Sequence, residues 1–125
     1  MATRILIVDD TDHVREMLAQ MLMLDGFEVA GLADSGRAAV AMVAGDVPDI
    51  VIMDYKMPHM DGITATERIR AIAPRVPIIL YTAYLDQRLE ERARAAGVSA
   101  CIGKVEGIHT LEREISTLCL ELTSN

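Results

Sequence analysis

The feature that most constrains this chain is a repeated layout: a short, β-branched apolar run that stops abruptly at a polar residue and is followed by a stretch with helical periodicity. Ile5-Leu6-Ile7-Val8 ends at Asp9-Asp10, and Ile50-Val51-Ile52-Met53 ends at Asp54. Val76-Pro77-Ile78-Ile79-Leu80-Tyr81 ends at Thr82, and Val98 to Gly103 ends at Lys104. Runs this short and this uniformly apolar read as strands buried on both faces. Phe27 to Ala33 alternates, with smaller residues, and suits a shorter strand near a sheet edge.

Between these runs, the spacing predicts helices. From about Thr11 to Leu24, Val14, Met17, Leu18, Met21 and Met23 or Leu24 recur at helical intervals; Thr11 is the predicted cap and Asp25-Gly26 the stop. Ser35 caps an Ala-rich helix over about Gly36 to Ala44. Ile63, Ala65, Ile69 and Ile72 give the third helix its apolar stripe, and Pro74 lies just beyond it. Leu85 to Ala96 is the fourth, with Leu89, Ala93 and Ala96 inward, a Glu90–Arg94 pair outside and Gly97 at its end. Its Arg88, Arg92 and Arg94 read as a solvated face rather than a binding patch. The fifth runs from about Ile108 to Leu122, with Ile108, Leu111, Ile115, Leu118, Cys119 and Leu122 on one face and Leu120 off it. Strands alternating with helices require crossover connections, so the fold class is α/β: a doubly wound five-stranded parallel sheet with five helices.

Length and composition narrow the function. At 125 residues one domain over 1-125 is expected. A formal charge of −7 argues against a nucleic-acid surface and favours cationic or cation-bridged partners. No apolar run approaches the ~20 residues of a membrane span, and nothing at the start resembles a cleavable signal. A cytoplasmic location is expected, with Cys101 and Cys119 reduced. His13, His59 and His109 are scattered without ligand spacing.

In a parallel sheet, Asp9, Asp10, Asp54, Thr82 and Lys104 all fall on the carboxyl edge, where open α/β sheets bind ligands. An isolated strand-terminal Asp ordinarily bonds its own loop. Three carboxylates crowded on one edge repel, and a divalent cation relieves that. Carboxylate, carbonyl and water oxygens are the donors Mg²⁺ prefers, completed by phosphate oxygens. Lys104 and Thr82 would then face a phosphoryl group, and Asp54 would be the nucleophile.

With Asp9-Asp10 after Ile-Leu-Ile-Val, Asp54 followed by Met57-Pro58 and Met60-Asp61-Gly62, then Thr82-Ala83 and Lys104, the chain resembles the receiver domain of two-component response regulators from Ile5 to Leu122. The resemblance implies a flavodoxin-like sheet with the strand order 2-1-3-4-5 of the chemotaxis receivers. It implies Mg²⁺-dependent transfer of a phosphoryl group from a histidine kinase or phosphotransfer protein onto Asp54. It implies Asp10, Asp54 and the Lys56 carbonyl as direct Mg²⁺ ligands, Asp9 acting through water, and Lys104 and Thr82 holding the phosphate. It further implies a downstream effector protein and, as one arrangement, a homodimer through the fourth and fifth helices, the face that Leu120 marks. Lys56 and Tyr84, two residues beyond Asp54 and Thr82, would tune water access to the phosphoaspartate.

Two positions depart from the family. Val105 stands where proline commonly follows the lysine; a cis bond without proline costs about 2.5–4 kcal/mol, so a trans bond is expected. Cys101 stands where the family usually has a switching aromatic, leaving Tyr81 and Tyr84 as the nearest rings. Two alternatives follow. One is a receiver-like binding module that does not need phosphate. The other is a haloacid-dehalogenase-like phosphatase with its nucleophile in Asp10-Thr11-Asp12-His13-Val14, although no acidic pair on a strand follows Lys104 as that family requires.

Overall fold

All five apolar runs form strands in the computed structural model, which describes residues 2–123. In chain order the elements are β1 (Arg4–Val8), α1 (Asp12–Leu24), β2 (Glu28–Ala33), α2 (Gly36–Gly45), β3 (Ile50–Met53) and α3 (Gly62–Ile72). They continue with β4 (Ile78–Thr82), α4 (Gln87–Ala96), β5 (Ala100–Gly103), a 3₁₀ turn over Lys104–Glu106 and α5 (Ile108–Thr123). The sheet order is β2-β1-β3-β4-β5, with every pairing parallel.

Why the central runs are uniformly apolar is visible in the packing. Every residue of β3 and β4 is buried. On one face Leu6, Val8, Val51, Met53, Ile78 and Leu80 pack against α2, α3 and α4. On the other, Ile5, Ile7, Ile50, Ile52, Ile79 and Ile102 pack against α1 and α5. Successive strand residues point to opposite faces, so a layer of helices on each side needs apolar residues at consecutive positions. β2, at the edge, is only partly buried, as its mixed composition anticipates.

The elements shift at their ends, and some predicted inward residues are exposed. α4 begins at Gln87 rather than Leu85, because the Asp86 side chain accepts the Leu89 N–H at 2.7 Å and caps the helix there. β4 begins at Ile78 rather than Val76; Pro77 has no N–H to give a ladder, though its carbonyl accepts the Val51 N–H at 2.9 Å. β5 starts at Ala100, two residues later than the apolar run. On α1 the buried ridge is Leu18, Ala19 and Leu22, one turn apart, while Met17, Met23 and Leu24 are exposed. Ile72 and Leu122 are also exposed, each in the last turn of its helix, beyond the reach of the sheet. Ser35 caps α2 as expected, accepting the Ala38 N–H at 3.1 Å, and Glu90 pairs with Arg94 at 3.3 Å. Thr11 occupies the first cap without using its side chain; Asp9 Oδ1 instead accepts the Thr11 N–H at 2.9 Å.

Candidate functional site

The strand register brings the polar termini together. Val8 is level with Met53, so Asp9 and Asp54 leave the sheet side by side. Met53 is level with Leu80 and Thr82 with Gly103, which places Thr82 one step further out than Asp54 on β4 and Lys104 two steps further out at the end of β5. Each of Asp9, Asp10 and Asp54 offers a carboxylate oxygen, and the three atoms lie within 4.8 Å of one another. They line or adjoin a cleft of about 550 Å³ whose wall also includes Lys56, Tyr84 and Lys104. Asp9 is 2% exposed and Asp54 8%, whereas Asp10 faces solvent.

Lys104 connects the site across the sheet. Its Nζ donates to Asp9 Oδ2 at 3.0 Å and stands 3.8 Å from Asp54 Oδ2. Burial by itself would depress the Lys104 pKa, but the Asp9 hydrogen bond and the Asp54 and Asp9 charges outweigh it and hold the group above its usual range. Asp54 departs from a normal carboxylate: burial, then the Asp9 charge, push its pKa up to about 6. The Lys104 charge and the Tyr55 N–H, which donates to Asp54 Oδ1 at 2.9 Å, offset only part of that rise. Thr82 is fully buried at its strand end, with Oγ1 accepting the Tyr84 N–H at 3.2 Å.

The loop after Asp54 is held by contacts that no spacing in the sequence singles out. The Gly62 N–H donates to the Tyr55 carbonyl at 2.7 Å, and a Cβ at Gly62 would collide with the Asp54 carbonyl oxygen, so only glycine lets α3 start this close to the Asp54 loop. Asp61 caps α3 by accepting the Thr64 N–H at 2.8 Å. His59 adopts φ of 69° at the tip of the loop. On the β1–α1 side, Arg15 Nη1 donates to the Asp9 carbonyl at 2.6 Å while Nη2 pairs with Asp12, clamping the acidic turn from behind. Helical spacing in α1 and the Asp-x-x-Arg pattern at Asp12 and Arg15 are the signals that could have pointed to this clamp. At the rim, the Lys56 ammonium stands 4.8 Å from the centroid of the exposed Tyr84 ring.

The departures from the family pattern take definite form. Lys104–Val105 is trans, there being no cis peptide among the described residues, and Val105 is 93% exposed. Cys101 is half-buried on the α4 side of the sheet, where burial raises its thiol pKa. Tyr81 is buried on the opposite side, against α1 and α5, and Tyr84 stays at the cleft mouth. Neither ring occupies the Cys101 position. The three histidines stay outside the acidic cluster, with His109 paired to Glu112 at 3.0 Å on α5.

A doubly wound parallel sheet with a carboxylate cluster, a threonine and a lysine at its carboxyl edge defines a class of phosphate-handling α/β proteins. Within that class the family is specific: residues 5–116 match the response regulator receiver domain, and the chain belongs to that family. It is 46% identical over 94 residues to the regulatory protein AtoC of Escherichia coli, covering 75% of this chain and 20% of AtoC. It is 42% identical over 104 residues to the chemotaxis protein CheY of Bacillus subtilis, covering 83% of this chain and 87% of that one. Among solved structures, the response regulator TrrA of Thermotoga maritima, in complex with Mg²⁺-BeF, superposes with a TM-score of 0.84 at 30% identity, covering 93% of this chain and 98% of TrrA. The chain spans a fifth of AtoC and about half of the next relatives. It is therefore a receiver domain of two-component signalling, and the family does not favour the phosphatase or the phosphate-independent module. Receiver domains bind Mg²⁺ at an acidic pocket and interact with histidine kinases and effector domains. No helix among the described residues is long and apolar enough to cross a membrane.

Proposed function

We propose that Asp54 is the phosphoacceptor, taking its phosphoryl group from the phosphohistidine of a histidine kinase or phosphotransfer protein. The observation that carries this reading is the three-carboxylate cluster around the buried Asp54, with Lys104 reaching both Asp9 and Asp54. Hard oxygen donors in a partly solvated cleft fit Mg²⁺. Asp10 and Asp54, with the Lys56 carbonyl, would hold the ion directly and Asp9 through water. Bound there, Mg²⁺ would neutralise phosphoryl oxygens and favour the ionised Asp54.

The chain's own groups supply the rest. An Asp54 carboxylate oxygen attacks phosphorus as the bond to the imidazole nitrogen breaks, and the electron pair leaves on that nitrogen. Lys104 stabilises charge on the transferred oxygens and Thr82, shifting toward them, donates its hydroxyl proton to one; its Oγ1 lone pair now accepts the Tyr84 N–H. The Thr82 shift would carry the signal to a downstream effector protein. α4 and α5 form a candidate homodimer face, with Leu120 exposed on it.

Intact-mass and peptide-mapping analysis after reaction with acetyl phosphate and Mg²⁺ tests the site. One phosphoryl group on Asp54, absent in Asp54→Asn and absent with EDTA, is expected. Label on Asp10 would overturn the assignment.

A further inference from the structure

A second cleft, of about 580 Å³, lies beside the phosphoacceptor cleft and is separated from it by the Lys56–Tyr84 stack. It runs between the β3–α3 loop and α4. Its wall carries three cations, Lys56, Arg88 and Arg92, against two carboxylates, Asp61 and Asp86, on a protein whose formal charge is −7. Among the described residues none of the three has an ion-pair partner within contact distance. The acids nearest on α4 are engaged elsewhere, Glu90 with Arg94 and Glu91 with Gln87. Among the described residues Arg92 makes one hydrogen bond, to the Tyr55 hydroxyl at 3.4 Å, and it feels the Asp61 and Glu67 charges without an ion pair to either. At physiological salt the screening length is about 8 Å, so the local balance of three cations against Asp61 and Asp86, whose carboxylates accept the Thr64 and Leu89 N–H groups, counts for more than the distant net charge.

The geometry separates two kinds of anion. A compact phosphate would seek the free N–H groups of a helix N-terminus. Both helix starts on this cleft are closed to it: Asp61 caps α3, Asp86 caps α4, and each adds a negative charge there. The cations are spread out instead. Arg88 and Arg92 are four residues apart on one face of α4, about 6 Å along its axis. Carboxylates at alternate positions of an extended peptide are spaced by about 6.8 Å. Tyr55, Tyr84 and Leu89 supply apolar surface between them.

We propose that this cleft is a docking site for an acidic, extended segment of a protein partner, with alternating carboxylates paired to Arg88 and Arg92. Arg88 and Arg92 lie outside the phosphoacceptor cleft. The proposal therefore goes beyond the Asp54 reading and does not depend on it.

Fluorescence anisotropy of a short labelled peptide of alternating Glu and Thr tests it on the full chain. Saturable binding is expected, weakened about tenfold by Arg88→Glu or Arg92→Glu and by less than about twofold by Arg37→Glu on the α2 surface. Asp54→Asn should bind the peptide as the wild type does, whatever the outcome of phosphorylation assays. Equal loss in Arg37→Glu would show general electrostatics and overturn the site. So would unchanged binding in an Arg88→Glu/Arg92→Glu double variant, or no peptide binding alongside Arg88-dependent binding of a mononucleotide.

Discussion

At Asp54, the charge itself is a cost to the metal-free fold. The unfolded carboxyl loses its proton near 3.8, while the folded one keeps it to about 6. Between these values the folded state holds the extra proton, so stability falls as pH rises through the window and stays lowered above it. Asp54→Asn removes the charge, and its melting temperature at pH 7 without Mg²⁺ should exceed that of the wild type by about 4 °C, on the order of 1 kcal/mol. The difference should vanish below about pH 4, where both side chains are neutral; thermal melts across pH would show it, and a gap that persists in acid would rule the explanation out. At the rim, Tyr84→Ala opens the Lys56 stack and should shorten the phosphoaspartate lifetime several-fold, and an unchanged decay of the phosphorylated species would exclude a shielding role. Asp9, Asp54, Thr82 and Lys104 were legible because each directly follows a strand-like run, and Asp10 because it stands next to Asp9. The Lys56–Tyr84 stack was not, since the two meet through side-chain reach across separate loops; for Arg15 the i,i+3 spacing to Asp12 was readable, but not its reach to the Asp9 carbonyl.

Among the helices, the site depends on how tightly α3 and α4 are seated. Gly62→Ala would drive a Cβ into the Asp54 carbonyl, against backbone that cannot swing aside as a side chain can. A loss of about 2–4 kcal/mol is expected in denaturant melts, together with slower phosphorylation, because relieving the clash must move Asp54. Stability and rate both equal to wild type would mean that the turn yields freely. At the opposite edge Arg70 ties two loops, donating to the Gly97 carbonyl at 2.9 and 2.6 Å and to the Val76 carbonyl at 2.5 Å. Arg70→Ala would strip those carbonyls of partners and should destabilise by about 1–3 kcal/mol in the same melts while leaving the candidate site around Asp54 untouched. Element types and order were readable from periodicity, but their ends were decided by chemistry at single positions, such as the Asp86 cap and the missing N–H of Pro77. The exposure of Ile72 and Leu122 was not readable, because a stripe on a helical wheel does not say where the sheet beneath it ends.

Over the full fold, the two helical layers hold β1 and β5 in one sheet so that Asp9 and Lys104, 95 residues apart in sequence, meet at 3.0 Å. That contact gives Lys104 two opposed effects. Its ammonium neutralises carboxylates that would otherwise repel, yet it occupies an Asp9 oxygen and repels an incoming divalent cation. Lys104→Met removes both effects at once. Mg²⁺ affinity, measured by titration calorimetry, should tighten about fivefold, roughly 1 kcal/mol, because the competing charge is gone. Phosphorylation by acetyl phosphate should nevertheless slow on the order of 100-fold, because the transferred oxygens lose a preorganised cation that bound metal does not replace. The opposite signs distinguish a lysine that handles phosphate from one that merely orients Asp9: in the latter case Lys104→Met would weaken Mg²⁺ binding and slow phosphorylation together.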